Sequence, residues 1–293
     1  MIDSKAQART DPASAAAPPA DPAVPIFVVS LARAAERRQA ICEHLRQMGV
    51  RFRLIDAVDG AALSATQWRA VVDGDIPLHP GTVGCYLSHV RIYETMAAER
   101  IPVALVLEDD ARLSRQFVPW LSSGLQSLEF DYCFLDGDDE NEFDPIYFDP
   151  ADRIQLAPGI AAHRLSAGPQ TTHAYLITLP AATRRLQAAF PIQKAIDLYD
   201  HLPYPIQFRA VVSPKLAWLS EHSLASFTSS KARGIASLKF QGLRRHPWFY
   251  RLRNWLKLKP LRRSLQVKVL VREGRLPAGR HWVPLPWGRD VLL

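Results

Sequence analysis

The run Val103 to Leu107, VALVL, is apolar at every position and passes directly into Glu108, Asp109 and Asp110. An alternating pattern would mark a strand with one wet face. An unbroken apolar run marks a strand covered on both faces, as in a parallel sheet with helices on either side. This one stretch demands a layered core and leaves three like charges at the carboxyl end of an inner strand.

The rest of the chain supplies the layers. PIFVVSL, Pro25 to Leu31, is a second short β-branched run. The segment after it carries Ala34, Ile41, Leu45 and Met48 at helical spacing and stops at Gly49, a residue common just past a helix end. Val50, Phe52 and Leu54 alternate with Arg51 and Arg53 ahead of a turn at Asp59-Gly60, which predicts another strand. Val83, Leu87, Val90 and Ala97 line one face of a long helix before VALVL. Phe130, Tyr132 and Phe134 alternate ahead of a second acidic loop holding Asp136, Asp138 and Asp139; HAYLITL is a strand and PAATRRLQAAF a helix. Strands alternating with helices at this spacing predict an α/β fold with a mostly parallel sheet flanked by helices. Ligands in such sheets bind in the crevice outside the carboxyl ends of the strands, where the acidic triplet sits.

A chain of 293 residues, 48 % of them hydrophobic, is long enough to bury one sizeable core. That core is expected over residues 25–230. Residues 1–24, rich in Ala, Pro, Ser and Asp, read as a mobile tail. The tail lacks the roughly 7–15-residue apolar segment of a secretory signal, and no run approaches the ~20 apolar residues of a membrane span. Cys42, Cys85 and Cys133 are widely spaced among apolar neighbours, which suits buried free thiols in a reducing compartment better than a zinc site built from close pairs. From Lys231 to Arg280 there are fifteen Lys and Arg against the single acid Glu273, an excess of 14 where the whole chain carries +7. Residues 231–293 are therefore expected as a helical, basic amphipathic C-terminal extension, and the remainder is net acidic.

Three carboxylates delivered into one crevice repel one another unless something positive joins them. Hard oxygen ligands suit Mg²⁺ or Mn²⁺, which commonly bridge a carboxylate to phosphate oxygens. Arg33, Arg37 and Arg38 follow the first strand at the start of a helix whose dipole also favours anions. A metal and an arginine cluster at neighbouring strand ends would suit a diphosphate, although for Arg38 taken alone a solvated helix face is the preferred reading.

The ordered blocks PIFVVSLARAAERR, GVRFRLIDAVDG, GTVGCYLSHVRIYETM and IPVALVLEDDARL resemble glycosyltransferase family 25, the lipopolysaccharide sugar transferases and collagen galactosyltransferases. Fainter echoes follow in HAYLIT, AIDLY and VVSPKLAWLSEHSLASF. The resemblance implies a GT-A-like fold, a UDP-sugar donor (often UDP-galactose or UDP-glucose), Mn²⁺ or Mg²⁺ as cofactor, and inversion at the anomeric carbon. It assigns Glu108, Asp109 and Asp110 to the metal and Ser30, Arg33 and Arg37 to the nucleotide side. Asp59 and Gly60 match a turn that would contact uridine. Gly84, Ser88 and His89 match a helix block in which Ser88 and His89 either contact the ligand or satisfy neighbouring backbone groups.

Transfer with inversion needs charge stabilisation at the leaving diphosphate, where Asp110 is expected to act, and a base for the acceptor hydroxyl. Candidate bases are Asp136, Asp138 and Asp197, and Asp197 is favoured because its short motif echoes the family's later half. His173 and Tyr175 are candidates for acceptor contact, and His222 for an extra metal ligand. In the basic stretch, Trp248, Phe249, Leu252, Trp255, Leu256 and Leu258 among cations would suit a helix on an anionic bilayer surface, bounded by Pro247 and Pro260. This fits a lipid-linked glycan acceptor at the cytoplasmic membrane face. The same charge could bind nucleic acid, but no nucleic-acid motif accompanies it. A metal-dependent phosphohydrolase is a third way to use the triplet.

Overall fold

The computed structural model describes residues 23–74, 76–136, 146–220, 267–274 and 276–285. Most of the expected tail, Asp138, Asp139, His222 and the basic stretch 247–260 lie outside the described residues. The last two residues of the expected tail belong to the fold: the Ala23 N–H donates to the Leu121 carbonyl at 2.8 Å and Val24 is in the core.

Two inner strands, β1 (Ile26–Ser30) and β3 (Val103–Glu108), form the spine. They pair in parallel with Val29 opposite Glu108, so both carboxyl ends reach the same rim. Alternate residues serve opposite layers. Ile26, Val28, Leu105 and Leu107 pack with Ile41 and Leu45 of helix α1 (Ala35–Gln47). Phe27, Val29, Ala104 and Val106 pack with Val83, Tyr86, Val90 and Met96 of helix α3 (Pro80–Glu99) and with Ala181 of helix α5 (Leu179–Gln187). This double coverage is why neither strand has a polar position until its end. Each fully buried side chain of this size contributes roughly 1.5–3 kcal/mol.

The remaining strands are β2 (Arg53–Asp56), β4 (Ala111–Leu113), β5 (Tyr132–Phe134), β6 (Tyr147–Ala157), β7 (Ile160–Leu165), β8 (Ala174–Thr178), β9 (Phe208–Ala210), β10 (Ala217–Leu219) and β11 (Val283–Pro284). Helices α2 (Ala65–Val71) and α4 (Val118–Ser123) are short connectors. Among the described residues the main sheet has the order β11-β6-β7-β9-β5-β8-β3-β1-β2, and β4 pairs with β10 beside it. Following the pairings from strand to strand, β1, β2, β3, β5, β6 and β9 run one way and β7, β8 and β11 the other. Six of nine strands thus share a direction, as expected of a mostly parallel sheet, but three of the eight pairings are parallel because the opposed strands are interleaved. The β6–β7 hairpin, turning at Gly159 with φ of 75°, is an antiparallel addition that the periodicity did not predict.

The described part of the basic C-terminal segment does not stand apart. Leu276 and Trp282 pack on Tyr147, β11 pairs with the edge of β6, and Arg280 binds Asp149 at 3.0 Å and Asp152 at 2.6 Å. The expected boundary at residue 230 therefore needs correcting: 276–285 belong to the sheet. Residues 267–272 are helical, and the rest of the stretch expected as a helical extension, 231–266, lies outside the described residues.

The loop from Ala57 to Leu63 lies on the first turns of α3 at backbone-to-backbone distance. A Cβ added to Gly60 would sit 1.9 Å from the Pro80 carbonyl oxygen, and one added to Gly84 would sit 2.4 Å from that of Val58. Backbone atoms cannot swing away as a side-chain tip can. Gly84→Ala is accordingly expected to lower stability by roughly 1–3 kcal/mol through overpacking. Chemical denaturation would show this as a lower midpoint; an unchanged midpoint would mean that the loop is not pinned here.

Candidate active site

The acidic triplet sits where β3 ends and the chain turns into β4, and the three carboxylates go to three different neighbours. Strand alternation sends Glu108 toward α3 and Asp109 the other way. Glu108 Oε1 accepts from Thr172 Oγ1, lies 3.5 Å from His89 Nε2 and is approached by Cys85 Sγ at 3.8 Å. Asp109 Oδ2 accepts from Ser30 Oγ at 2.8 Å, and its Oδ1 is 2.9 Å from Arg37 Nη2. Asp110 is fixed through its backbone, whose carbonyl accepts from the Ser220 N–H at 2.7 Å. Its side chain is buried, and Oδ1 has no hydrogen-bond partner among the described residues.

The electrostatics follow this division. Burial raises Glu108, but the His89 imidazole, Thr172 and the charge of His173 outweigh it and hold the carboxyl at about 2. Asp110 is pushed up to about 6, first by burial and then by the negative charge of Glu108, with His173 pulling the other way. In Asp109, burial outweighs Ser30 and Arg37 and leaves the carboxyl above its ordinary value. Burial lowers His173, yet Asp136 Oδ2, 2.7 Å from Nε2, overrides it and raises the imidazole to about 9. Asp110 is the member of the triplet with an unmet demand for positive charge.

The three acids do not converge on one point, which corrects the expectation of a single ion shared among them. Among the described residues, one set of three potential metal ligands has donor atoms all within 4.8 Å of one another, and it is Cys85, His89 and Glu108. For a cation of the Mg²⁺ or Mn²⁺ type, the residues present fit best at Asp110, an orphaned buried carboxylate with Glu108 beside it in charge.

Other expected site residues divide similarly. Ser30 and Arg37 reach the triplet through Asp109, while Arg33 is exposed and pairs with Asp59 at 2.8 Å. Arg38 is not a solvated-face residue: it donates at 2.7 Å to both the Ser30 carbonyl and Asp56. Ser88 is fully buried, accepting from the Val58 N–H at 2.8 Å and donating to the Gly84 carbonyl at 2.6 Å, and Gly60 is buried against Pro80. Both fasten the loop to the helix. His89 and Tyr175 are buried partners, Nδ1 to Oη at 2.7 Å. His173 and Asp136, expected as acceptor contact and candidate base, are engaged with each other at 2.7 Å.

Asp197 lies in the turn after α5. Its charge bears on Cys85 and on Tyr199, which brings it to the Glu108 side of the site. The turn is held by Arg185, a buried guanidinium over the rings of Tyr86 and Tyr199 that donates to the Ile196 carbonyl at 2.9 Å. Sequence reasoning did not single out Thr172, Arg185 or a site role for Cys85. Cys85 and His89 did carry a signal, their four-residue spacing on one helix face. Of the three cysteines, Cys42 and Cys133 are buried as expected, and Cys85 is half-buried at the site. A depression of about 640 Å³ near Pro102, Phe130 and Pro180 lies at the opposite end of β3 and holds none of these groups.

Fold and site together define an α/β protein with a charged crevice at the carboxyl ends of its central strands. The family model described as glycosyltransferase family 25 (LPS biosynthesis protein) matches residues 23–199, and the chain belongs to this family. It is 30% identical over 195 residues to "Probable inactive glycosyltransferase 25 family member 3" of Bos taurus, covering 61% of this chain and 31% of that protein. It is 27% identical over 194 residues to "Procollagen galactosyltransferase 2" of Homo sapiens, covering 61% and 29%. The chain thus spans about a third of the length of the curated relatives it matches. A solved glycosyltransferase involved in glycosylation of the major capsid of PBCV-1 aligns at a TM-score of 0.33 and 12% identity, over 64% of this chain and 81% of that one.

The raised Asp110 has a consequence for stability. Its ordinary value is 3.8 and its folded value about 6, so the folded state favours the protonated form. Stability is lost as pH rises from near 4 through 6 and stays lost above. Asp110→Asn removes that loss, and the metal-free variant is expected to be more stable than the parent at pH 7 by on the order of 1–2 kcal/mol. The difference should vanish below pH 4, as thermal melts at the two pH values would show.

Proposed function

We propose that this protein is a divalent-metal-dependent, inverting hexosyltransferase that moves galactose or glucose from a UDP-sugar to a hydroxyl of a lipid-linked, lipopolysaccharide-type glycan. The observation that carries the proposal is Asp110 Oδ1, buried and unpartnered at the end of a central strand with Glu108 alongside. Family membership supports glycosyl transfer, and the galactosyltransferase relatives support a hexose.

Asp110 would hold Mn²⁺ or Mg²⁺, with Glu108 adding negative charge nearby. When bound, the ion supplies positive charge to a departing diphosphate. Arg37, docked on Asp109, adds fixed positive charge at the β1 end of the rim. Ser30 orients Asp109 and thereby Arg37. Asp197 accepts the proton of the acceptor hydroxyl as it attacks the anomeric carbon from the face opposite the nucleotide. The basic C-terminal segment places the enzyme on the anionic cytoplasmic face of the membrane that carries the acceptor. No helix among the described residues is long and apolar enough to cross a membrane.

Calorimetric titration of UDP into the protein tests the donor site. Binding should require Mn²⁺ and disappear in Asp110→Ala while the fold persists; equal affinity with and without the metal would overturn the proposal. Asp197→Asn should retain UDP binding and lose about 10²–10⁴-fold in turnover with an acceptor present.

A further inference from the structure

We infer that Cys85, His89 and Glu108 form a second metal site, one suited to a borderline-soft divalent cation such as Zn²⁺. The site goes beyond glycosyl transfer and does not depend on it. Cys85 and His89 stand four residues apart on α3, and β3 brings Glu108 up to that face. Sulfur, nitrogen and oxygen donors lie within 4.8 Å of one another, with Glu108 Oε1 3.5 Å from His89 Nε2 and 3.8 Å from Cys85 Sγ. Bond lengths of about 2.3 Å to sulfur and about 2.0 Å to nitrogen or oxygen place tetrahedral ligands some 3.3–3.6 Å apart. The two contacts to Glu108 Oε1 need to shorten by only a few tenths of an ångström to reach that range.

His89 supplies a second observation. The residue is fully buried, and Nε2, aimed into the cluster, faces Glu108 Oε1 at 3.5 Å without hydrogen-bond geometry to it or to any other described residue. A buried ring nitrogen normally finds a hydrogen-bond partner. Its other nitrogen is held by Tyr175 Oη at 2.7 Å, and that hydroxyl is tied to Tyr93 Oη at 2.8 Å. This is the outer support that fixes the tautomer and direction of a ligating histidine. Cys85 and Glu108 are half-buried, so an ion can enter from the crevice and a fourth position stays open to water or an anion. One thiol and one imidazole select against Mg²⁺ and Mn²⁺, which separates this site chemically from the hard-ion position at Asp110. Binding releases the Cys85 thiol proton to solvent.

Co²⁺ titration of the full-length protein, in the absence of nucleotide, tests the inference. One equivalent should produce a thiolate-to-cobalt charge-transfer band in the near ultraviolet, and stoichiometric Zn²⁺ should bleach it. Cys85→Ala and His89→Gln should each abolish the band and weaken Zn²⁺ binding by at least about tenfold. Cys85→Ala should still bind UDP with Mn²⁺, which also shows that the variant folds. Absence of the band in the parent protein, or its persistence in Cys85→Ala, would overturn the inference. Neither result bears on the UDP titration, so the two proposals fail separately.

Discussion

Three carboxylates cannot share the end of a buried strand unless each is answered, and the surrounding structure divides the task. Desolvation and mutual repulsion together cost several kcal/mol if nothing compensates. On one side, β1 and α1 deliver Ser30 and Arg37 to Asp109. On the other, α3 and the segment before β8 deliver His89 and Thr172 to Glu108. The parallel register that sets Val29 opposite Glu108 makes both deliveries possible. Asp110 receives a backbone anchor, but its Oδ1 has no hydrogen-bond partner among the described residues, and the chemistry of the site turns on that inequality.

The outer packing serves the same end. Gly60 and Gly84 let the loop after β2 sit directly on α3, and Ser88 fastens it there. The helix that carries Cys85 and His89 is thus fixed against the strand that carries Glu108. On the same face of the sheet, Arg185 of α5 lies over the Tyr86 ring of α3 and holds the turn containing Asp197 through the Ile196 carbonyl. Helix α3 therefore backs both the Glu108 side of the crevice and, through Arg185, the turn that carries Asp197.

Much of this was legible in the sequence because it depends on local periodicity. The unbroken runs at β1 and β3, the apolar spacing of α1 and its stop at Gly49 with φ of 71° all appear where the pattern placed them. Strand direction was less legible. Whether β8 lies parallel or antiparallel to β3 is decided by the course of the chain between them, and no residue in HAYLIT records it. The hairpin of β6 and β7 was missed although Pro158-Gly159 marks its turn, because its residues alternate only in part and carry polar positions inward. The triplet was recognised as a site but misread as one cluster. The two-residue period of a strand, which was available, already sends Glu108 and Asp109 to opposite faces. The roles of Thr172 and Arg185 had no local signal, since Thr172 reaches Glu108 and Arg185 reaches Tyr86 across long sequence separations.

The central claim is that Asp110 is the carboxylate that grips a divalent ion against a nucleotide diphosphate. Anomalous diffraction at the manganese edge, from crystals grown with Mn²⁺ and UDP, addresses it without recourse to activity. The account predicts one strong peak against Asp110 Oδ1, in contact with diphosphate oxygens and clear of the Asp109 carboxylate. A peak elsewhere, or density with the Asp110 side chain turned away from an ordered nucleotide, would contradict it.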